Sequence, residues 1–336
     1  MNAEKAKAVL LALLAACFYA VSTPAAKLLL SYTGPTSLAA MLYLGAGLGI
    51  GLLYLLWGGK ADRQPRLTKS DLPYTVGMIV LDIVAPILLM NGVQRSTAAN
   101  VALLNNFEIV ATAVLAYFAF HERISRRMWC ALALIALSSG ILSFEGSSSL
   151  VFSDGSLMVL GACVCWGLEN NCTRLISSKS TYEIVILKGF FSGTGALLIA
   201  LLLGERLPPL PVVACALALG FVAYGLSIFT YIRAQSVIGA AKTSAFYALA
   251  PFIGAFLSFL FLREHLARTY ALGLAVMIVG SALAVMDTLK YRHSHLHSHT
   301  VYHLRHGRLE KEVFQHTHEH THLGPGLAHR HSHPGL

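Results

Sequence analysis

Residues 100–125 read NVALLNNFEIVATAVLAYFAFHERIS, and residues 242–267 read KTSAFYALAPFIGAFLSFLFLREHLA. When the first stretch is shifted by 142 positions it lies on the second, and Glu122 then coincides with Glu264. Each stretch is an apolar run of helix length that ends in a short charged turn around this glutamate, and a further apolar run follows. Such a unit, occurring twice in one chain, predicts a membrane protein built from internal repeats, an organisation typical of transporters.

The composition indicates that lipid is the solvent of this chain. Hydrophobic residues make up 56% of it, charged residues make up 12%, and the mean hydropathy is +0.64, whereas soluble domains carry about 25% charged residues. The formal net charge of +9 comes largely from Lys and Arg in short loops, where positive charge fixes orientation in a bilayer, so it predicts no nucleic-acid partner. The six cysteines lie inside apolar runs, which argues against a secreted disulfide framework.

Ten segments are long and apolar enough to cross about 30 Å of hydrocarbon. They predict an all-α polytopic membrane protein with ten transmembrane helices, the first of which is retained rather than cleaved as a signal peptide. The short loops contain no nucleophile–base pair and no phosphate-binding loop, so we predict that the chain is not an enzyme. The predicted segments are 8–30, 36–57, 71–93, 98–120, 127–145, 155–177, 181–203, 211–233, 239–262 and 268–288.

The distribution of Lys and Arg predicts the orientation. The more basic loops fall on the cytoplasmic side if both termini are cytoplasmic, and the predicted location is the inner (plasma) membrane, crossed many times. With five helices in each repeat, the second repeat enters the membrane from the opposite face. We therefore predict two inverted five-helix repeats, residues 1–146 and 150–290, around a central cavity.

The duplicated stretches resemble a known family. Residues 92–125 and 234–267 each run from small residues through an apolar helix to a glutamate-containing turn, and in this they resemble the EamA unit of the drug/metabolite transporter superfamily. The resemblance extends over nearly the whole chain, to about Met286. It implies ten helices in two inverted halves and secondary transport of a small metabolite, and it leaves the substrate open.

Charged side chains inside the predicted spans are the first candidates for a transport site. Asp82, Glu108, Glu169 and Lys188 lie well inside spans, where each costs about 2.5–3.5 kcal/mol on insertion scales, so they are expected to face a cavity or one another. Glu108 shares a helix face with Asn105. It is predicted to contact substrate or to carry a coupling proton, or else to form a packing ion pair with Lys188.

Asp82 lies one turn before Pro86, which predicts a kinked helix that lines the cavity. The sixth span adds Glu169 and Asn170 as cavity candidates. Glu169 also falls on a stripe with two cysteines, which is either a soft-cation site or two small buried side chains beside a paired carboxylate. These cysteines are Cys165 and Cys172.

Lys188 is predicted either to hold an anionic group of the substrate or to neutralise Glu108 or Glu169. Tyr19 and Trp166, with Tyr247, are predicted to form an aromatic wall of the cavity or to pack helices together. Glu122 and Glu264 lie in charged turns at helix ends, so both are assigned structural roles.

The C-terminal segment, residues 291–336, is polar and holds thirteen of the fifteen histidines. We predict a disordered cytoplasmic tail. Its histidines alternate with other residues, and imidazole suits Zn, Ni, Cu and Co, so the tail is a candidate metal-binding segment; a solvated, pH-responsive tail is the alternative. The candidate ligands are His293, His295, His297, His299, His316, His318, His320, His322, His329, His331 and His333.

These features predict a secondary carrier that exports a small molecule by alternating access, with protons coupled through Glu108 or Asp82. No cofactor is required, and the oligomeric state stays open. The alternative is an exporter of divalent Ni, Co or Zn, or a carrier regulated by such metals through the tail. A membrane-bound metal sensor without transport is the third reading.

Overall fold

The computed structural model divides the chain into two compact units, Met1–Val285 and Met286–Leu336. The first unit holds the first predicted repeat and residues 150–285 of the second, and helices from the two predicted repeats pack against each other there. The structure describes residues 3–58, 64–120, 124–143, 153–176, 178–238, 243, 246–264, 269–288, 291–305 and 308–322.

The first unit is α-helical. Its first part contains α1 to α7, with a π-helical turn after α3 and a 3₁₀ turn before α4. The helices are α1 (Ala3–Ala20), α2 (Ser22–Leu29), α3 (Pro35–Leu53), α4 (Leu72–Arg95), α5 (Ala98–Leu104), α6 (Phe107–Phe120) and α7 (Arg126–Leu142), and the turns are Tyr54–Gly58 and Lys69–Asp71.

The second part of this unit contains α8 to α14 and two more π-helical turns, one between α9 and α10 and one between α11 and α12. The helices are α8 (Asp154–Ile176), α9 (Thr181–Leu187), α10 (Gly193–Leu202), α11 (Leu210–Gly220), α12 (Ser227–Ile238), α13 (Ala250–Leu262) and α14 (Tyr270–Thr288), and the π-helical turns are Lys188–Ser192 and Phe221–Leu226.

Polar residues in the predicted loops start the helices. The Ser125 hydroxyl accepts a hydrogen bond from the Met128 amide at 3.0 Å, and the Ser180 hydroxyl accepts one from the Glu183 amide at 3.2 Å. These bonds satisfy amide groups that the first turn of a helix leaves without a backbone partner. The breaks that the sequence places between spans therefore coincide with real helix starts.

Among the residues that the structure describes, seven helical segments are long and apolar enough to cross a membrane. Helices also occupy the three remaining predicted positions, as α7, α8 and α13. Two of these differ from the seven for a clear reason, since α8 carries the polar run Glu169, Asn170 and Asn171 and α13 has 13 residues. The seven segments are Ala6–Leu29, Pro35–Leu56, Lys69–Arg95, Ala98–Phe118, Thr181–Leu202, Leu210–Tyr231 and Tyr270–Asp287.

Helix α3 packs closely against α11 through glycine residues of both helices. A Cβ atom at Gly45 would collide with the Leu217 carbonyl oxygen of α11, and one at Gly220 would collide with the Leu42 carbonyl oxygen. Small residues let helix backbones approach closely in membrane proteins, where apolar burial against lipid gives little driving force for association. This close packing brings the polar residues of α3 next to the second part of the unit.

The second unit contains two antiparallel strands, β1 (Tyr291–Arg305) and β2 (Arg308–His322). Here the structure differs from the expectation of a disordered tail. The physical reason is the alternation of histidine with other residues, which has the period of a pleated strand, and the pairing that satisfies the backbone groups of both strands. His329, His331 and His333 lie outside the described residues.

Candidate functional site

A buried ion cluster joins three helical segments. The ammonium group of Lys188 lies 3.1 Å from Asp82 Oδ2 and 2.8 Å from Glu169 Oε1. Asp82 comes from α4, Glu169 from α8, and Lys188 opens the π-helical turn after α9. Both carboxylate side chains are almost fully buried. Lys188 therefore neutralises Glu169, which was one of the two carboxylates predicted from the sequence. Its second partner is Asp82 rather than Glu108.

A π-helical turn begins at Lys188, between α9 and α10. Turns of this kind occur as single insertions in α-helices, frequently at functional sites. Gly189, the next residue, packs against the backbone of Gly47 in α3, where a Cβ atom would not fit. The absent side chain lets this wide turn lie directly on α3, with Lys188 between α4 and α8.

Tyr43, which was not among the predicted site residues, holds the other oxygen of Asp82, and Trp166 in turn holds Tyr43. The Tyr43 hydroxyl donates to Asp82 Oδ1 at 2.9 Å, and the Trp166 indole N–H donates to the Tyr43 hydroxyl at 3.4 Å. Asp82 thus accepts from a neutral donor on one oxygen and pairs with a cation on the other. Trp166, predicted as a cavity wall, acts here through a hydrogen bond to Tyr43.

Glu108 lies in a separate environment beside a helix break. Helix α5 ends at Leu104 and α6 begins at Phe107, so Asn105 and Asn106 interrupt the fourth predicted span. The Asn170 amide donates to Glu108 Oε1 at 2.6 Å and lies 3.4 Å from the Thr112 hydroxyl. The structure therefore brings Glu108 and Asn170 together, with a neutral amide rather than a cation as the partner of the carboxylate.

Polar atoms without partners surround this break. The side-chain oxygen of Asn105 and both polar atoms of the Asn106 side chain are buried and make no hydrogen bond to any described residue. Buried polar groups are normally satisfied, and each exception calls for an explanation such as a site that receives a ligand or water. The interrupted helix beside Glu108 is thus a place where a polar ligand would gain hydrogen bonds.

Tyrosine rings connect the two environments. Tyr224 lies in the third π-helical turn, with its ring centroid 5.5 Å from that of Tyr43 and 5.9 Å from that of Tyr19. Tyr19 in turn lies 5.9 Å from Tyr247. The Tyr224 hydroxyl is buried and has no hydrogen-bond partner among the described residues. Tyr19 and Tyr247 are therefore neighbours, as an aromatic wall requires, while Tyr43 and Tyr224 were missed.

The arrangement does not favour the predicted soft-cation site at Cys165, Glu169 and Cys172. Glu169 is occupied by Lys188 and by the Thr173 hydroxyl, which donates to the same oxygen. Within the residues whose side chains the structure describes, no three His, Cys, Asp or Glu side chains lie close enough together to hold a metal ion. Cys165 and Cys172 are partly buried, free thiols.

The sequence is similar to known transporters. The sequence model of the EamA-like transporter family matches residues 6–144 and 154–286. An uncharacterized transporter of Methanothermobacter thermautotrophicus is 26% identical over 284 residues, covering 79% of this chain and 82% of the relative. The uncharacterized transporter YyaM of Bacillus subtilis is 25% identical over 252 residues, covering 70% of this chain and 79% of the relative.

A solved crystal structure shares the fold. It is 19% identical to this chain, superposes with a TM-score of 0.60, and the match covers 84% of this chain and 96% of that one. The two family matches together span most of the sequence, and they leave the C-terminal strands outside. The chain is therefore a multi-pass membrane protein that belongs to the EamA-like transporter family.

Proposed function

We propose that this chain is a secondary carrier that exports a small organic metabolite across the inner membrane by alternating access. The observation that carries the proposal is the buried polar layer of Asp82, Glu108, Glu169 and Lys188 within apolar helices of a transporter family. Charged groups at this depth are costly, and transporters place them along the path of substrate and coupling ions. Ten crossings in two inverted halves form the scaffold of the proposal.

Reciprocal helix caps support the inverted halves. The Glu205 carboxylate, in the loop after α10, accepts from the Thr36 and Ser37 amides of α3 at 3.1 and 2.7 Å. The Gln64 side chain, in the loop after α3, accepts from the Thr181 amide of α9 at 3.1 Å. Each half thus caps the second crossing of the other half, as expected for two copies related by an axis in the membrane plane.

Matching helix breaks support the same relation. The break at Asn105 and Asn106 separates α5 from α6, and a turn at Ala248 and Leu249 precedes α13. The 142-position shift that aligns the two copies places these breaks within two residues of each other. Discontinuous helices at corresponding places in two halves are a frequent feature of substrate sites in secondary transporters.

The balance of charge supports proton coupling through Glu108. Three carboxylates face one ammonium in the described polar layer, so the ionised layer carries two negative charges in excess. Asp82 and Glu169 share Lys188, whereas Glu108 accepts a hydrogen bond from the neutral amide of Asn170. A proton or a substrate cation at Glu108 reduces the excess, which is expensive in a low-dielectric interior. Of the two predicted coupling groups, we therefore propose Glu108 rather than Asp82.

The same balance favours a substrate with a positively charged group. Tyr19 and Tyr247 supply neighbouring aromatic rings, with centroids 5.9 Å apart. A carboxylate together with tyrosine faces attracts an organic ammonium group through charge and cation–π contacts. Exchange of such a group for a proton at Glu108 gives an antiport cycle in which one site serves both ligands.

Transport into liposomes tests this proposal. Purified protein is reconstituted and screened with amino acids, amines, nucleosides and sugars while the internal pH is recorded. We expect an amine-bearing compound to move protons across the membrane and Glu108→Gln to abolish this coupling. Glu4→Gln, at an exposed position in the first turn of α1, is the matched control and should behave like the wild type. Unchanged flux and pH dependence in Glu108→Gln would remove Glu108 from the mechanism.

Deletion of the C-terminal tail distinguishes the proposed metabolite carrier from an exporter of divalent metal. Deletion of residues 291–336 should leave metabolite flux unchanged, because every residue of the proposed site lies in the first unit. If the carrier instead exports Ni, Co or Zn with the help of its histidines, the same deletion lowers cellular tolerance to that metal and reduces metal flux in liposomes.

A further inference from the structure

We propose that the C-terminal hairpin is a preorganised transition-metal site built from three cross-strand histidine pairs. This goes beyond transport, since the hairpin lies in the second unit and outside both family matches. The pairs are His293 with His320, His295 with His318, and His297 with His316.

The register of the strands carries the proposal. Positions 293, 295 and 297 alternate along β1, so they share one face of the hairpin, and each stands opposite another histidine on β2. Opposite residues in an antiparallel pair have Cα atoms about 4.5–5.5 Å apart. Successive pairs on one face follow at about 7 Å along the strand. The backbone therefore places six histidine positions in a ladder of three rungs.

The chemistry of the rungs indicates the ligand class. Imidazole nitrogen binds Zn, Cu, Ni and Co, and Zn takes four ligands at about 2.0–2.1 Å. A single rung supplies two imidazoles, so two adjacent rungs are needed for four. The intervening positions lie on the other face and hold no histidine, because Ser294 stands opposite Glu319 and Leu296 opposite Thr317. The histidine ladder is thus confined to one face.

The middle rung, His295 and His318, belongs to every possible set of four histidines from adjacent rungs. Together with either outer rung it completes a set of four histidines, while the two outer rungs are about 13 Å apart along the strand. Loss of one outer rung leaves a complete set, and loss of the middle rung leaves two isolated pairs. A flexible histidine-rich chain has no such hierarchy, because any of its histidines can replace another.

A transposition that keeps the composition tests the face. In the full-length protein in detergent, Ser294→His with His295→Ser and Thr317→His with His318→Thr place both histidines of the middle rung on the opposite face, at positions 294 and 317, which do not pair with each other. Binding of Zn and Co is measured by calorimetry, and the visible spectrum of bound Co reports its coordination. We expect affinity to fall by more than about tenfold, with loss of the four-coordinate Co spectrum.

The matched control exchanges a histidine outside the ladder, through His329→Arg with Arg330→His. Its affinity should equal that of the wild type. Equal affinity of the transposed and wild-type proteins would overturn the proposal, since binding would then depend on composition alone. Absence of Zn and Co binding to the wild type would also overturn it. Neither outcome bears on Glu108, so this test is independent of the transport proposal.

Rung-by-rung substitution provides a second test. Alanine at both His295 and His318 should lower affinity far more than alanine at both His293 and His320 or at both His297 and His316. Equal losses from all three double substitutions would contradict the shared middle rung. Far-UV circular dichroism of each variant shows whether the membrane unit has kept its helical content.

Discussion

Two buried carboxylate environments in the helical unit differ in what holds the charge. Asp82 and Glu169 share the ammonium of Lys188, and Asp82 receives the Tyr43 hydroxyl as well. Glu108 receives an amide hydrogen bond from Asn170. The first environment is tied to the protein's own cation, so its charge is committed to holding helices together. The second holds a carboxylate whose hydrogen-bond partner is neutral, and it is the group to which we assign the proposed proton coupling.

Removal of the shared cation should give the largest effect. Lys188→Met leaves Asp82 and Glu169 buried without a counter-charge, and breaking a buried ion pair in this way costs about 3–5 kcal/mol. We expect a large drop in the thermal unfolding temperature of the protein in detergent. The triple variant with Asp82→Asn and Glu169→Gln added should recover much of the loss, because it buries no charge. A Lys188→Met protein as stable as the wild type would show that the ion cluster does not hold the helices together.

Removal of one neutral donor should give an intermediate effect. Tyr43→Phe deletes the hydroxyl that donates to Asp82, and a hydrogen bond to a charged group contributes about 1.5–3 kcal/mol. Tyr224→Phe is the matched control, since its hydroxyl is buried without a partner among the described residues and its loss should leave stability unchanged or raised. Thermal unfolding of the two variants side by side measures the difference. Equal stabilities would place the two hydroxyls in equivalent roles.

Substitution of Glu108 should give the smallest effect on stability. Glu108→Gln keeps the shape and the acceptor oxygen that Asn170 uses, so we expect a change in unfolding free energy below about 1 kcal/mol. Coupling of flux to protons should be lost in the same protein. A destabilisation as large as that of Lys188→Met would show that Glu108 holds the fold together as Asp82 and Glu169 do, and that the two sites do not differ in role.

The intramembrane charges were accessible to sequence reasoning because their cost in lipid is independent of the fold. Asp82, Glu169 and Lys188 had to be near one another or a cavity, and the structure brings them together. Tyr43 and Tyr224 could not be found in the same way. A tyrosine in an apolar helix is equally suited to packing, and its partner depends on a π-helical turn that no residue pattern announces.

Helix identity was predicted from apolar runs, whereas contacts between distant loops were not. The role of Glu264 at a helix end is visible in the structure, where its carboxylate accepts from the Ala98 and Ala99 amides at 2.8 and 3.1 Å. Its partner lies more than 160 positions away, so spacing along the chain gave no signal. The polar composition of the tail predicts disorder, because it offers no apolar residues for a core. The alternation of histidine with other residues also favours a β-strand, and the sequence analysis used it only as a pattern of metal ligands.

The glycine contacts of α3 have a mechanical consequence. At Gly45 and Gly220 one backbone rests on another with no side chain between them, so the spacing of α3 and α11 cannot be adjusted by a change of rotamer. We therefore expect α3 and α11 to move together as one rigid body. In the proposed alternating-access cycle, a rocking motion would pivot on this contact line, and bulky residues introduced at Gly45 or Gly220 would block the motion as well as lower stability.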